Sequence, residues 1–70
     1  MTGRAKMLDH VALVRDQGRW LAGTAGTVVE IFADAAYVEI VGPDGRTLDT
    51  LAVPYNDLQI LTSGGHELAV

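Results

Sequence analysis

The chain predicts an all-β domain in which five short strands make one small, strongly bent, partly open barrel, with a single helical turn before the last strand. Three observations predict it. Residues 26–32 and 37–41 alternate apolar and polar side chains and are rich in Val, Ile and Thr, the pattern of half-buried strands. Gly42-Pro43-Asp44-Gly45 is a strong turn signal between two such runs, because proline pre-sets the second turn position and glycine accepts the positive φ that follows. The length, 70 residues, is too small for two full packed sheets and leaves room for one thin core.

Taken in order, residues 1–7 have mixed polarity and read as a flexible lead-in. Residues 8–14 read as the first strand, with Val11 and Leu13 on the core face and Leu8, His10, Ala12 and Val14 on the other. Residues 15–23 show no clean period and read as a long surface loop. Within it, Trp20 and Leu21 are too apolar to be wholly solvated, and two readings stand. Either the indole caps an open barrel end with Leu21 beneath it, contributing ~1.5 to 3 kcal/mol if fully buried, or Trp20 is an exposed partner contact flanked by Arg15 and Arg19.

Residues 26–32 are the second strand, favoured by β-branched Thr27, Val28, Val29 and Ile31. Strict alternation sets Thr27, Val29 and Ile31 on one face and Val28, Glu30 and Phe32 on the other. A carboxylate is not buried without a partner, so the Glu30 face is expected outward. Residues 33–36 lack the glycine of a tight hairpin and predict a reversal of three or four residues. In the third strand, 37–41, Val38 and Ile40 point inward while Tyr37, Glu39 and Val41 point out. The fourth, 46–53, slips in its pattern, since Leu48 lies on one parity and Leu51 and Val53 on the other. A β-bulge near Asp49-Thr50 is expected to return all three to the core. Pro54-Tyr55-Asn56-Asp57 reads as one helical or 3₁₀ turn, residues 58–61 as a fifth strand, and 62–70 as a flexible tail. Residues 8–61 thus form one domain, and the inventory fits a barrel of the SH3-like kind.

Composition narrows the setting. The chain has no cysteine, which excludes disulfides, thiolate metal sites and cysteine nucleophiles and points to the cytoplasm. Asp9 and His10 interrupt the apolar run after Arg4 and Lys6, so no signal peptide is expected, and nothing approaches the roughly 20 apolar residues of a membrane helix. Net charge is −4 and uneven: residues 1–19 hold four bases against two acids, whereas the rest hold Arg46 against seven acids. So acidic a body disfavours a phosphate backbone as partner.

No catalytic, cofactor or metal site is expected. His10 and His66 have no ligand spacing, and Ser63 beside Gly64-Gly65 has no strand-to-helix elbow around it. Gly23 and Gly26 precede a strand and not a helix, so turn geometry explains them better than phosphate binding. Glu30 and Glu39 are placed to face each other across the hairpin, where like charges repel and serve best as solvated outer residues. The informative surplus is apolar. Val28, Phe32, Tyr37 and Val41 are expected to share one outer face with Glu30 and Glu39, and such a patch marks an interface whose carboxylates select a basic partner. The leading expectation is a non-enzymatic protein–protein interaction module that self-associates, as a dimer, and binds a second, unidentified protein. The alternative is a barrel that binds single-stranded nucleic acid through Trp20, Arg15, Arg19, Arg4 and Lys6, with the indole stacking on a base.

The residues also carry a resemblance. Leu8-Asp9-His10-Val11-Ala12-Leu13, Gly23-Thr24-Ala25-Gly26-Thr27-Val28-Val29-Glu30, Ala36-Tyr37-Val38-Glu39, Asp44-Gly45, Thr50-Leu51 and Asp57-Leu58 follow in that order. This pattern resembles a family of uncharacterised small bacterial proteins, a domain of unknown function, over about residues 8–61. It is similar in turn to SH3-like barrels of the KOW and nitrile hydratase β-subunit kind, and to cargo of mobile elements such as integron cassettes and toxin–antitoxin neighbourhoods. The resemblance implies the barrel fold and a bacterial cytoplasm, and assigns no activity. KOW modules present bases around the Gly-x-x-Gly loop, whereas here Arg19 is the nearby base and Glu30, Asp34 and Glu39 crowd the hairpin that follows.

Overall fold

The computed structural model describes residues 4–62, so the expected tail from Ser63 onward, His66 included, lies outside the described residues. Five strands form: β1 (His10–Leu13), β2 (Ala25–Ile31), β3 (Ala35–Val41), β4 (Thr47–Pro54) and β5 (Leu58–Thr62), with a 3₁₀ turn at Tyr55–Asp57 before the last. They make one antiparallel sheet in the order β4-β3-β2-β1-β5, open at both edges. Four strands meander and the fifth returns to pair with the first. No helix among the described residues is long and apolar enough to cross a membrane.

The turns form where the sequence marks them. The Gly45 N–H donates to the Gly42 carbonyl at 2.9 Å, and Gly45 takes φ +85°, the left-handed conformation that glycine alone adopts at no cost. Phe32 donates to the Ala35 carbonyl at 2.9 Å to close the shorter reversal.

The start of β1 differs from expectation. Lys6 and Asp9 close a turn, with the Lys6 amide donating to Asp9 Oδ2 at 2.8 Å and the Asp9 amide to the Lys6 carbonyl at 3.1 Å. Leu8, a bulky residue at φ +70°, is held there as its amide donates to the Val28 carbonyl at 2.8 Å. The strand therefore begins at His10. Before it, Ala5 is buried in the core cluster and the Arg4 guanidinium stacks 4.5 Å from the Tyr55 ring centroid, while Lys6 and Met7 are exposed.

The core comprises Ala5, Val11, Leu13, Val28, Ala36, Val38, Ile40 and Val53, with Trp20, Leu51, Tyr55 and Leu58 packed against it. Val28 corrects the expected facing of β2, since it is 0% exposed and pairs with buried Val38. The cause is a bulge: pairing runs Val28↔Val38 and then Glu30↔Tyr37, so Val29 is an extra residue. Parity inverts across it. Val28 points inward before the bulge, while Glu30 and Phe32 point outward after it, and alternation from Glu30 alone extrapolates to the wrong face.

A second bulge lies in β4, where Ile40 pairs with Asp49 and Val41 with Thr47. It falls on Leu48, next to the expected position, but leaves Leu48 outside at 51% exposure, while Asp49, opposite Ile40, shares the face of Leu51 and Val53 by ordinary alternation. Gly26 has a different cause from the turn geometry expected of it. A Cβ there would stand 2.5 Å from Val38 Cγ1 and 2.8 Å from the Glu39 carbonyl, so its lack of a side chain lets β3 pack across β2.

Candidate interaction surfaces

The outer face of the sheet carries one cross-strand polar row. Thr62 pairs with His10, His10 with Thr27, Thr27 with Glu39 and Glu39 with Thr50, so the row crosses all five strands. Thr27 Oγ1 lies 3.4 Å from His10 Nδ1, and Thr47 Oγ1 donates to Glu39 Oε2. Glu30 and Glu39 do not face each other. The register sets Glu30 opposite Tyr37 and Glu39 between Thr27 and Thr50, so the two carboxylates form no pair. Among the described residues, no group of three or more His, Asp or Glu side chains is placed to hold a metal ion.

This row divides the expected apolar face. Val41 lies to one side, lining a shallow depression of about 260 Å³ with Ala25, Thr27 and Leu61. On the other side are Phe32 and Tyr37, their ring centroids 5.1 Å apart at 68°, the edge-to-face geometry that the aromatic quadrupole favours. They remain 46% and 41% exposed. Small neighbours leave the rings uncovered: Ala52 pairs with Tyr37, and with Ala33 and Ala35 they line a depression of about 480 Å³. The Tyr55 hydroxyl donates to the Phe32 carbonyl, which fixes the backbone beneath the ring. Of the six residues expected at an interface, Phe32 and Tyr37 come together, Glu30 stands across from Tyr37, and Glu39 and Val41 lie beyond. Val28 is inside and belongs to no surface.

The loop between β1 and β2 forms a second region, tied down by acids remote in sequence. The Trp20 indole N–H donates to Asp49 Oδ2 at 2.8 Å, and the Arg19 guanidinium stacks 4.8 Å from the indole while its Nε lies 4.0 Å from the same oxygen. At the loop's other end Arg15 Nε pairs with Asp57 Oδ1 at 2.9 Å, and Gln17 Nε2 donates to Asp57 Oδ2 at 3.0 Å. Gln17 and Trp20 exchange backbone hydrogen bonds of 2.8 and 2.9 Å, closing a tight turn. Trp20 is half-buried and packed against the core. Arg19 lies over its ring, and Leu21, expected beneath the indole, is instead 66% exposed. Of the four bases of the expected nucleic-acid patch, Arg15 and Arg19 are matched by carboxylates, and the Arg4 guanidinium lies over the Tyr55 ring.

Asp49 and Asp57 escape a reading of the sequence. Their hydrogen-bond partners Trp20 and Gln17 lie 29 and 40 residues away, so no local pattern signals them. The hydrogen bond from Trp20 first, then that from the Thr50 amide and the charge of Arg19, hold the Asp49 carboxyl below its ordinary value of 3.8. Compared with known proteins, the chain matches no family model, no curated protein and no solved structure.

Proposed function

We propose that the chain is a non-enzymatic protein–protein interaction module that self-associates, with Phe32 and Tyr37 as the aromatic anchor of its outer contact. The observation that supports this reading is the edge-to-face pair of exposed rings on a backbone already pinned by Tyr55. Aromatic side chains carry a large share of binding energy at interfaces, and an anchor ordered beforehand loses less entropy on docking. A thin core gains from covering such surface through a second subunit.

The rim sets the partner's chemistry. Glu30 stands across from Tyr37 and Asp34 lines the same depression, so a second protein seated here carries Lys or Arg around an apolar centre. An acidic module masking a basic partner, as an antitoxin does, is the special case of this reading.

The test is solution mass by size-exclusion chromatography with light scattering over a concentration series. The parent is expected above monomer mass, and the Phe32→Lys, Tyr37→Lys variant at a lower mass with its β circular dichroism intact. Equal masses for the two chains would overturn the assignment of this contact.

A further inference from the structure

The two edges of the sheet are built differently. At the β4 edge, Leu48 bulges, the Thr50 amide is taken by Asp49 Oδ1 at 2.9 Å, the Trp20 indole seats on Asp49, and Pro54 has no N–H to offer. These are the devices by which sheet edges avoid pairing: a bulge, a charge, a proline and a cover. The β5 edge has little of this. Its sequence, Leu-Gln-Ile-Leu-Thr, contains no charge, proline or glycine. Among the described residues, no turn or loop backbone hydrogen bond reaches residues 59–62. One bulge, at Leu61 between the Val11↔Ile60 and His10↔Thr62 pairs, interrupts its ladder to β1.

Depressions flank that edge on both sides. Leu58 and Ile60 line one of about 600 Å³ with Val14, Tyr55 and Arg4, whose guanidinium lies over the Tyr55 ring, and Leu61 lines the other, of about 260 Å³, with Thr27 and Val41. An added strand gains main-chain hydrogen bonds from such an edge and places alternate side chains on either side.

We propose that the occupant is β5 of a second copy, paired antiparallel about a two-fold axis at Ile60. Ile60 then meets Ile60, Gln59 meets Leu61 and Leu58 meets Thr62. No charge meets a like charge in this register, the side chains that meet are apolar or neutral, and each Ile60 enters the other copy's larger depression. The nearest acid, Asp57, is already held by Arg15 at 2.9 Å. Such a contact is isologous and closed, the commonest symmetry of self-association. It joins two sheets into one of ten strands and uses none of the residues that line the Phe32 and Tyr37 depression. The inference rests on the self-association proposed above but uses a separate surface, so the parent has two contacts and assembles beyond a dimer.

The experiment compares solution masses of four chains and follows amide hydrogen exchange of residues 59–62 against concentration. Gln59→Lys, Leu61→Lys puts lysine against lysine twice at the seam and is expected to weaken it about tenfold or more, lowering the mass. Gln59→Lys, Leu61→Glu creates two Lys–Glu pairs in the same register and is expected to restore it. Phe32→Lys, Tyr37→Lys is expected to retain the edge dimer. Combining it with the double lysine change is expected to give a monomer. The inference is overturned if the double lysine chain keeps the parent mass, if the Lys, Glu chain does not recover it, or if protection of residues 59–62 is independent of concentration. That last result would mean that the chain's own residues 63–70, or nothing, cover the edge. If instead Phe32→Lys, Tyr37→Lys keeps the parent mass while the double lysine chain becomes monomeric, the edge stands and the aromatic contact falls. A parent that is monomeric throughout overturns both.

Discussion

The indole of Trp20 donates to the carboxylate of Asp49 across 29 residues of sequence at 2.8 Å. This bond turns a hydrophobic residue in an irregular loop into a latch. Asp49 stands opposite Ile40 in the unbroken run of pairs that also carries Leu51 and Val53, and so it lies on the face where the indole arrives.

The latch makes stability respond to acid. The carboxyl of Asp49 is held below 3.8 by the Trp20 bond, the Thr50 amide and Arg19, so its contribution is complete above that value and is lost as pH falls below it. Thermal melts from pH 6 downward are expected to fall more steeply for the parent than for Asp49→Asn once pH drops below about 4. Trp20 emission should shift to the red in Asp49→Ala at neutral pH. Parallel melting profiles for the parent and Asp49→Asn would show that the carboxylate has no such part.

The inversion at Val29 is tested by a pair of small truncations. Val28→Ala removes methyl groups from a fully buried site and is expected to cost roughly 1.5 to 3 kcal/mol in urea unfolding. Val41→Ala, on the exposed side of β3, is expected to stay within about 0.5 kcal/mol. The reverse order would place Val28 outside.

Gly26→Ala drives a methyl group against Val38 Cγ1 and the Glu39 carbonyl. Backbone cannot yield as a side chain tip does, so the expected loss is about 1 to 3 kcal/mol, read in the same denaturation assay. An unchanged midpoint would mean that β2 and β3 separate at that point without cost.

Arg15 and Arg19 are paired with Asp57 and Asp49, and Arg19 lies over the indole face that a nucleobase would need. Fluorescence anisotropy with single-stranded RNA or DNA at low salt is therefore expected to show no binding. A salt-dependent increase that disappears in Trp20→Ala would displace the interaction module in favour of a nucleic-acid-binding barrel.

Much of the architecture is legible in the residues because it is local. Alternation in residues 26–32 and 37–41, the Gly42 to Gly45 turn and the proline-led 3₁₀ turn each depend on neighbours within a few positions, and each appears within one or two residues of its expected bounds. The exposed pair Phe32 and Tyr37 is legible for the same reason, since both flank one short reversal.

What local pattern determines is which residues are extended and where the chain turns. Which face of β2 is buried was decided by the pairing across the sheet, because one extra residue at Val29 inverts every side chain on one side of it. The same holds for Glu30 and Glu39, apposed on paper and separated by register. It holds again for the loop anchors, where carboxylates from β4 and the 3₁₀ turn meet a loop 29 to 40 residues away. A two-residue period carries no memory through a bulge, and a contact between distant segments exists only once the sheet has brought them together.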